Sequence, residues 1–148
     1  PSMIAPAWPI RRPGGAVGRA WLLRGRDIMR RDDRVATVAH SASVKDALLA
    51  MTESRAGSAG IIDDDAKLLG IFTDGDLRRH IGDYANILEM PIDEFMTPSP
   101  ITVKEDDLAV DVLKLFEDHN IDDLLVVDAE NRVVGAVDIQ DLPKLKIM

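Results

Sequence analysis

The 148-residue chain carries a net charge of −8, with 18 Lys and Arg against 26 Asp and Glu, and it contains no cysteine. These figures exclude disulfides, thiolate catalysis and sulfur-ligated zinc; they also argue against an extended nucleic-acid backbone as partner, so any phosphate must meet a local basic cluster. Aromatics are only 4% of the residues, which predicts a core of Val, Ile, Leu, Ala and Met. No apolar run approaches the roughly 18 residues of a membrane span, and a cytoplasmic protein without membrane contact is expected.

Residues 1–26 hold Pro1, Pro6, Pro9 and Pro13 among several glycines and arginines, and read as a basic, poorly structured arm and linker. From Asp27 a first unit is expected. The Val35 to Val38 run suits a short strand. Ser43-Val44-Lys45-Asp46 has capping-box form, and the helix behind it puts Val44, Ala47, Leu48 and Met51 on one face. Gly57 to Ile62 reads as a strand whose first half is nearly bare backbone, open to close packing, followed by an Asp63 to Lys67 turn. Leu69 to Thr73 is the next strand. It runs into Thr73-Asp74-Gly75-Asp76 and a basic helical turn, Leu77-Arg78-Arg79.

The segment 82–94 breaks the pattern and reads as a linker anchored by Tyr84, Ile87, Leu88 and Ile92. Then the order returns. Ile101 to Val103 is a strand, Asp106 or Asp107 is expected to cap a helix with Leu108, Val112, Leu115 and Phe116 inward, and Leu124 to Val127 and Arg132 to Val137 are strands about an Asp128 turn. Pro143 limits the last helix, leaving 143–148 as a tail.

Aligned 65 residues apart, Asp63 meets Asp128, Lys67 meets Arg132, Gly70 meets Gly135, Asp76 meets Asp141 and Leu77 meets Leu142. This internal repeat predicts an α/β protein of the α+β type, with two pseudo-symmetric β-α-β-β-α units at 27–81 and 95–142. Each would cover the other's apolar sheet face and leave two related clefts between them.

Over about Asp27 to Leu142 the residues resemble the tandem cystathionine-beta-synthase-type (CBS) domain pair. The strand followed by Thr-x-x-Asp and a helix, Gly70-Ile71-Phe72-Thr73-Asp74-Gly75-Asp76-Leu77, is its most specific sign. The wording through Arg78-Arg79 is similar to the regulatory half of bacterial arabinose 5-phosphate isomerases, and Arg12-Pro13-Gly14-Gly15-Ala16-Val17-Gly18-Arg19 is similar to the end of the sugar isomerase (SIS) domain that precedes the pair there. That family has a histidine before Pro-Gly-Gly, and Arg12 stands in its place. With nearly all of an SIS domain absent from these residues, the expectation is a fragment without catalytic residues. The resemblance implies a regulatory module that binds a nucleotide or nucleotide-sugar, CMP-Kdo by the branch or an adenine nucleotide by the wider family, without a cofactor or metal. It implies a homodimer attached to an SIS catalytic domain. The alternative is a purely structural dimerisation module with empty clefts.

The Thr-x-x-Asp turn has a physical use, since the Thr73 hydroxyl and helix-start N–H groups can hold a phosphate while Asp76 accepts from ribose hydroxyls. It equally suits a plain helix cap. Arg78 and Arg79, with His80, either neutralise a ligand's anion or form a solvated face. By the resemblance, Thr37 and Val38, with Gly57, Ser58, Ala59 and Ile61, would line a base. The second turn differs: Asp138 replaces the hydroxyl and would repel phosphate, so Asp138 and Asp141 would face an empty site, a cation or a neutral sugar, or Asp138 would cap a helix. Asp74-Gly75-Asp76 has the form of a phosphatase aspartate pair, but it lies in half of a repeat and lacks that context. Asp63 to Asp65 reads as a solvated turn, and His40, His80 and His119 have no metal-ligand spacing.

Overall fold

The computed structural model describes residues 22–145, with side chains through Leu142. Most of the predicted arm, including the Arg12 to Arg19 stretch, and the end of the tail lie outside the described residues.

Two small sheets form, one per repeat. The first runs in the order β1 (Ala36–Ala39), β2 (Ser58–Ile62), β3 (Leu68–Thr73), β4 (Thr97–Pro98); the second is β5 (Thr102–Val103), β6 (Asp123–Val127), β7 (Val133–Asp138). In both, the outer strand is parallel to the middle one, as a crossover helix demands, and the next pairs antiparallel through a tight turn. The turns are alike in detail: Asp63 Oδ1 accepts from the backbone N–H groups of Asp65 and Lys67 at 2.8 and 2.9 Å, and Asp128 Oδ1 accepts from Glu130 and Arg132 at 2.9 Å. The aspartate run is therefore turn chemistry. Both hairpins carry the same register shift, at Ile61/Ile62 and Val126/Val127.

Helix α2 (Val44–Ser54) begins as its sequence predicts, with Ser43 Oγ accepting from Asp46 N–H and the Asp46 carboxylate accepting from Ser43 N–H, both at 3.1 Å. Its equivalent α4 (Ala109–His119) starts differently. Leu108 is the N-cap without a side-chain bond, while the Asp107 carboxylate accepts from Lys104 N–H at 2.9 Å; the expected Asp106 or Asp107 cap is corrected to a turn one step earlier. Ala109, Val112 and Phe116 are its buried residues, with Leu108 and Leu115 at the margin. Helix α3 (Asp74–His80) follows β3, whereas the segment after β7, Ile139–Leu145, is a 3-10 helix instead of the expected α-helix.

Each repeat has its own apolar core, and equivalent positions fill both. Val44, Ala47, Met51, Ala59, Ile61 and Phe72 are buried in the first, and Ala109, Val112, Phe116, Leu124, Val126 and Val137 in the second. What completes each core comes from outside the local repeat. Ile87, Ile92 and Phe95, and strand β4 on β3, close the first, so the segment after α3 is packed structure. Ile28 and Met29, from the short helix α1 (Gly25–Ile28) and its end, close the second, where Arg30 pairs with Ala136 as β4 pairs with β3. A third cluster, Leu68 and Ile71 against Leu125 and Val127, joins the sheets face to face. Gly60 lies under it, and a Cβ there would stand 3.1 Å from Leu125 Cδ1, so the bare strand expected at 57–60 is bare to receive the other repeat.

Candidate functional site

Between the repeats lies an open cleft of about 810 Å³, bordered by both copies of the turn that follows the hairpin: Thr73 and Asp76 from one side, Asp138 and Gln140 from the other. The first copy forms because β3 ends in a residue that caps the next helix. Thr73 Oγ1 accepts from Asp76 N–H at 3.2 Å, and Asp76 Oδ2 accepts from Thr73 N–H at 2.9 Å. The second Asp76 oxygen is paired with Arg79, and the Asp76 residue is only 4% exposed. The capping reading of Thr73 and Asp76 is thus realised. A carboxylate offers about four acceptor positions, so these bonds do not exhaust it.

The second copy is neutralised from within the chain. Arg30 donates Nε and Nη2 to the two Asp141 oxygens at 2.8 and 3.1 Å, and Nη2 lies 3.7 Å from Asp138 Oδ2. Nη1 donates to the carbonyl of Arg55, the left-handed residue that ends α2. The Asp141 hydrogen bond raises the Arg30 pKa above its ordinary value, so the guanidinium stays charged. Asp138 also accepts from Gln140 N–H at 2.8 Å, the cap its position suggested. The cation that Asp138 and Asp141 meet is therefore internal. The register shows why it is there: Arg30 opposite Ala136 is the equivalent of Thr97 opposite Ile71.

A further pair of carboxylates faces the cleft. Asp123 opens β6 directly opposite Asp138 on β7, the place that Ser58 opposite Thr73 holds in the first sheet. Two hydroxyls in one repeat are two carboxylates in the other. Burial pushes the Asp123 carboxyl up to about 7, with the charges of Asp138, Asp122 and Asp74 acting in the same direction and Arg30 against them. It reaches the first repeat, because a Cβ added to Gly57 would lie 3.4 Å from Asp123 Oδ2.

Of the residues singled out in the sequence, Thr73, Asp76, Arg78, Arg79, Gly57 and Asp138 meet in this one cleft. Thr37, Val38, Ser58 and Asp141 lie outside its lining. Thr37 and Val38 are on the edge strand β1, with Val38 turned to the first core; Ser58 is 4% exposed; and Asp141 is engaged by Arg30. Sequence reasoning passed over Asp123 and Arg30. The 65-residue alignment of Ser58 with Asp123 was a usable signal for the first. Arg30 had a fainter one, since Met29-Arg30 matches Met96-Thr97 only when the offset is increased to 67. Among the described residues no cluster of acids and histidines has metal-binding geometry, His80 instead packing at a tilt of 60° against Phe95 at 5.2 Å between ring centres. No helix among them is long and apolar enough to cross a membrane.

The model of the CBS domain matches residues 26–83 and again 92–145. Arabinose 5-phosphate isomerase KdsD of Pseudomonas aeruginosa is 40% identical over 136 residues, covering 92% of this chain and 42% of the isomerase, and the Escherichia coli (strain K12) enzyme is 39% identical over 133 residues, covering 90% and 40%. The chain thus spans about two fifths of the length of these curated relatives. The crystal structure of the CBS domain pair of protein MJ0100, in complex with 5′-methylthioadenosine and S-adenosyl-L-methionine, superposes with a TM-score of 0.72 at 31% identity, over 83% of this chain and 94% of that one. Two matched repeats, two equivalent cores and one cleft at their junction agree: the chain belongs to the CBS domain family, as a tandem pair of the regulatory type that is homologous to the CBS region of KdsD.

Proposed function

We propose that this pair is a non-catalytic regulatory module that binds a nucleotide or nucleotide-sugar in the cleft between its repeats and transmits occupancy to an attached SIS isomerase domain. The observation that carries the reading is the cleft itself, where the Thr73 hydroxyl and the Arg78 and Arg79 guanidiniums line one open space of about 810 Å³. Thr73 and Asp76 would hold the sugar and phosphate, and Gly57, which faces the Asp123 carboxylate, would stand beside the base. Thr37, Val38 and Ser58, beside this space, would act through the strands that hold Gly57 and Thr73. The adenosine ligands of the MJ0100 complex support an adenine nucleotide; the resemblance to the regulatory half of arabinose 5-phosphate isomerases implies CMP-Kdo, as a feedback ligand in lipopolysaccharide biosynthesis, and a cytoplasmic homodimer. Regulation would require unequal affinity for two arrangements of the pair.

Calorimetric titration with CMP-Kdo, CMP, AMP and ATP tests the proposal. Saturable heat with at least one of them is expected, lost in Thr73→Ala and Asp76→Ala while the fold persists. A stable dimer by light scattering, with no heat and an unchanged melting temperature across all four ligands, would establish the structural reading instead.

A further inference from the structure

The cleft has two chemically opposite sides. On the first, Arg79 is tied to Asp76, and among the described residues Arg78 is held by no carboxylate. On the second, Asp122, Asp123 and Asp138 line the space, and Arg30, which donates to both Asp141 oxygens and stands 3.7 Å from Asp138, answers only part of this charge. Asp74 adds a further negative group where the two sides meet, its N–H bonded to the Gly57 carbonyl at 3.3 Å. One anionic group can lie against Thr73 and Arg78. A chain of phosphates that extends from there enters a field in which, among the described residues, carboxylates outnumber the guanidiniums.

Resting on the nucleotide reading above, we propose that Asp123 and Asp138 make the cleft select by ligand charge, admitting a nucleotide with a single phosphoryl group and rejecting the corresponding triphosphate. The repeat supplies the physical argument. Where the second sheet sets Asp123 opposite Asp138, the first sets Ser58 opposite Thr73 on the same backbone, so the carboxylates are not demanded by the fold. Like charges placed directly across a strand pair are unfavourable, and here they are retained facing open space between the repeats. Asp122 and Asp74 act on Asp123 in the same sense, and Arg30, the opposing charge, is shared with Asp141 and Asp138.

The test titrates AMP against ATP and CMP against CTP, in magnesium-free buffer at pH 8, above the Asp123 pKa of about 7, into the wild-type chain, Asp123→Ser and Asp138→Thr. Both variants copy the residue at the equivalent place in the first repeat, and thermal melts confirm that they fold. The wild type is expected to bind the monophosphate of at least one pair more tightly than its triphosphate by about tenfold or more, as about two extra negative charges facing carboxylates in a partly desolvated cleft imply. Asp123→Ser should close most of that gap, and Asp138→Thr part of it. A triphosphate that binds the wild type as tightly as its monophosphate, or a gap unmoved by either variant, would overturn the proposal and leave nucleotide binding standing. Absence of binding by all four nucleotides to every variant would overturn the proposal, and the nucleotide reading falls with it when CMP-Kdo also gives no heat.

Discussion

The two repeats are nearly superimposable in their turns, register shifts and buried positions, yet they treat the same turn in opposite ways. In the first, the Thr73 and Asp76 capping box faces the cleft and the neighbouring strand contributes Thr97. In the second, Asp138 and Asp141 grip Arg30 from the strand-like segment that docks in the same place. A duplicated fold has kept its scaffold and exchanged hydroxyls for charges at three equivalent positions. The scaffold tolerates this because the new carboxylates arrive with their own counter-ion, which lies mostly out of solvent with 13% of its side chain exposed.

If that counter-ion is what separates the halves, Arg30→Ala should have the largest effect, a loss of about 3 kcal/mol in urea unfolding, because it removes the shared guanidinium from two carboxylates that are themselves largely covered. The pair Arg30→Thr with Asp138→Thr, which rebuilds the first repeat's chemistry in the second, should recover part of the loss. A cost below about 1 kcal/mol for Arg30→Ala would show that the pairing is incidental.

The likeness of the scaffolds can be tested next at two glycines. A Cβ at Gly70 would stand 2.5 Å from Met96 Sδ and 2.9 Å from the Thr97 carbonyl; at Gly135 it would meet Met29 Sδ at 2.5 Å and the Arg30 carbonyl at 2.9 Å. Gly70→Ala and Gly135→Ala should therefore cost similar amounts, about 1–3 kcal/mol each by denaturant unfolding. Clearly unequal costs would mean that the two docked segments are not equivalent.

At the turns themselves the halves should diverge. Thr73→Ala removes a cap and should cost about 1 kcal/mol. Asp138→Ala removes a turn bond but also relieves the charge facing Asp123, and should stay within about 0.5 kcal/mol of wild type.

A further contrast is one that pH reveals. The folded-state pKa of Asp123 is raised from 3.8 to about 7, so the folded chain holds this proton longer than the unfolded one. Its penalty is absent below pH 3.8, grows through the interval and is complete above pH 7, and stability from this group falls as pH rises. Asp123→Asn should raise Tm at pH 8 by a few degrees, corresponding to about 1 kcal/mol, and by less at pH 5. An equal gain at both pH values would remove Asp123 as the titrating group.

Much of this was legible before any coordinates. The Ser43 cap, the Asp63 and Asp128 turns, the helix face through Val44, Ala47 and Met51, and the repeat itself depend on residues within a few positions of one another. The same local logic misplaced the cap of α4, because a carboxylate one step away had an earlier turn to satisfy. It anticipated Thr73, Asp76 and Asp138 as cleft residues but put Thr37 and Val38 beside them, although an edge strand turns Val38 toward the core.

Periodicity and capping were sufficient for most of the elements and their order, because those signals are carried by spacings of two to four residues along the chain, while the family was legible only through the resemblance of the Gly70 to Leu77 motif. Only the packed structure could decide that the segments 24–30 and 87–98 each complete a core, that both turns border one cleft, and that Arg30 is the cation between Asp138 and Asp141. The bond from Arg30 to Asp141 joins residues 111 positions apart. Such a pairing has no local signature, since it exists only once the apolar faces of two repeats have brought the strands that carry it together.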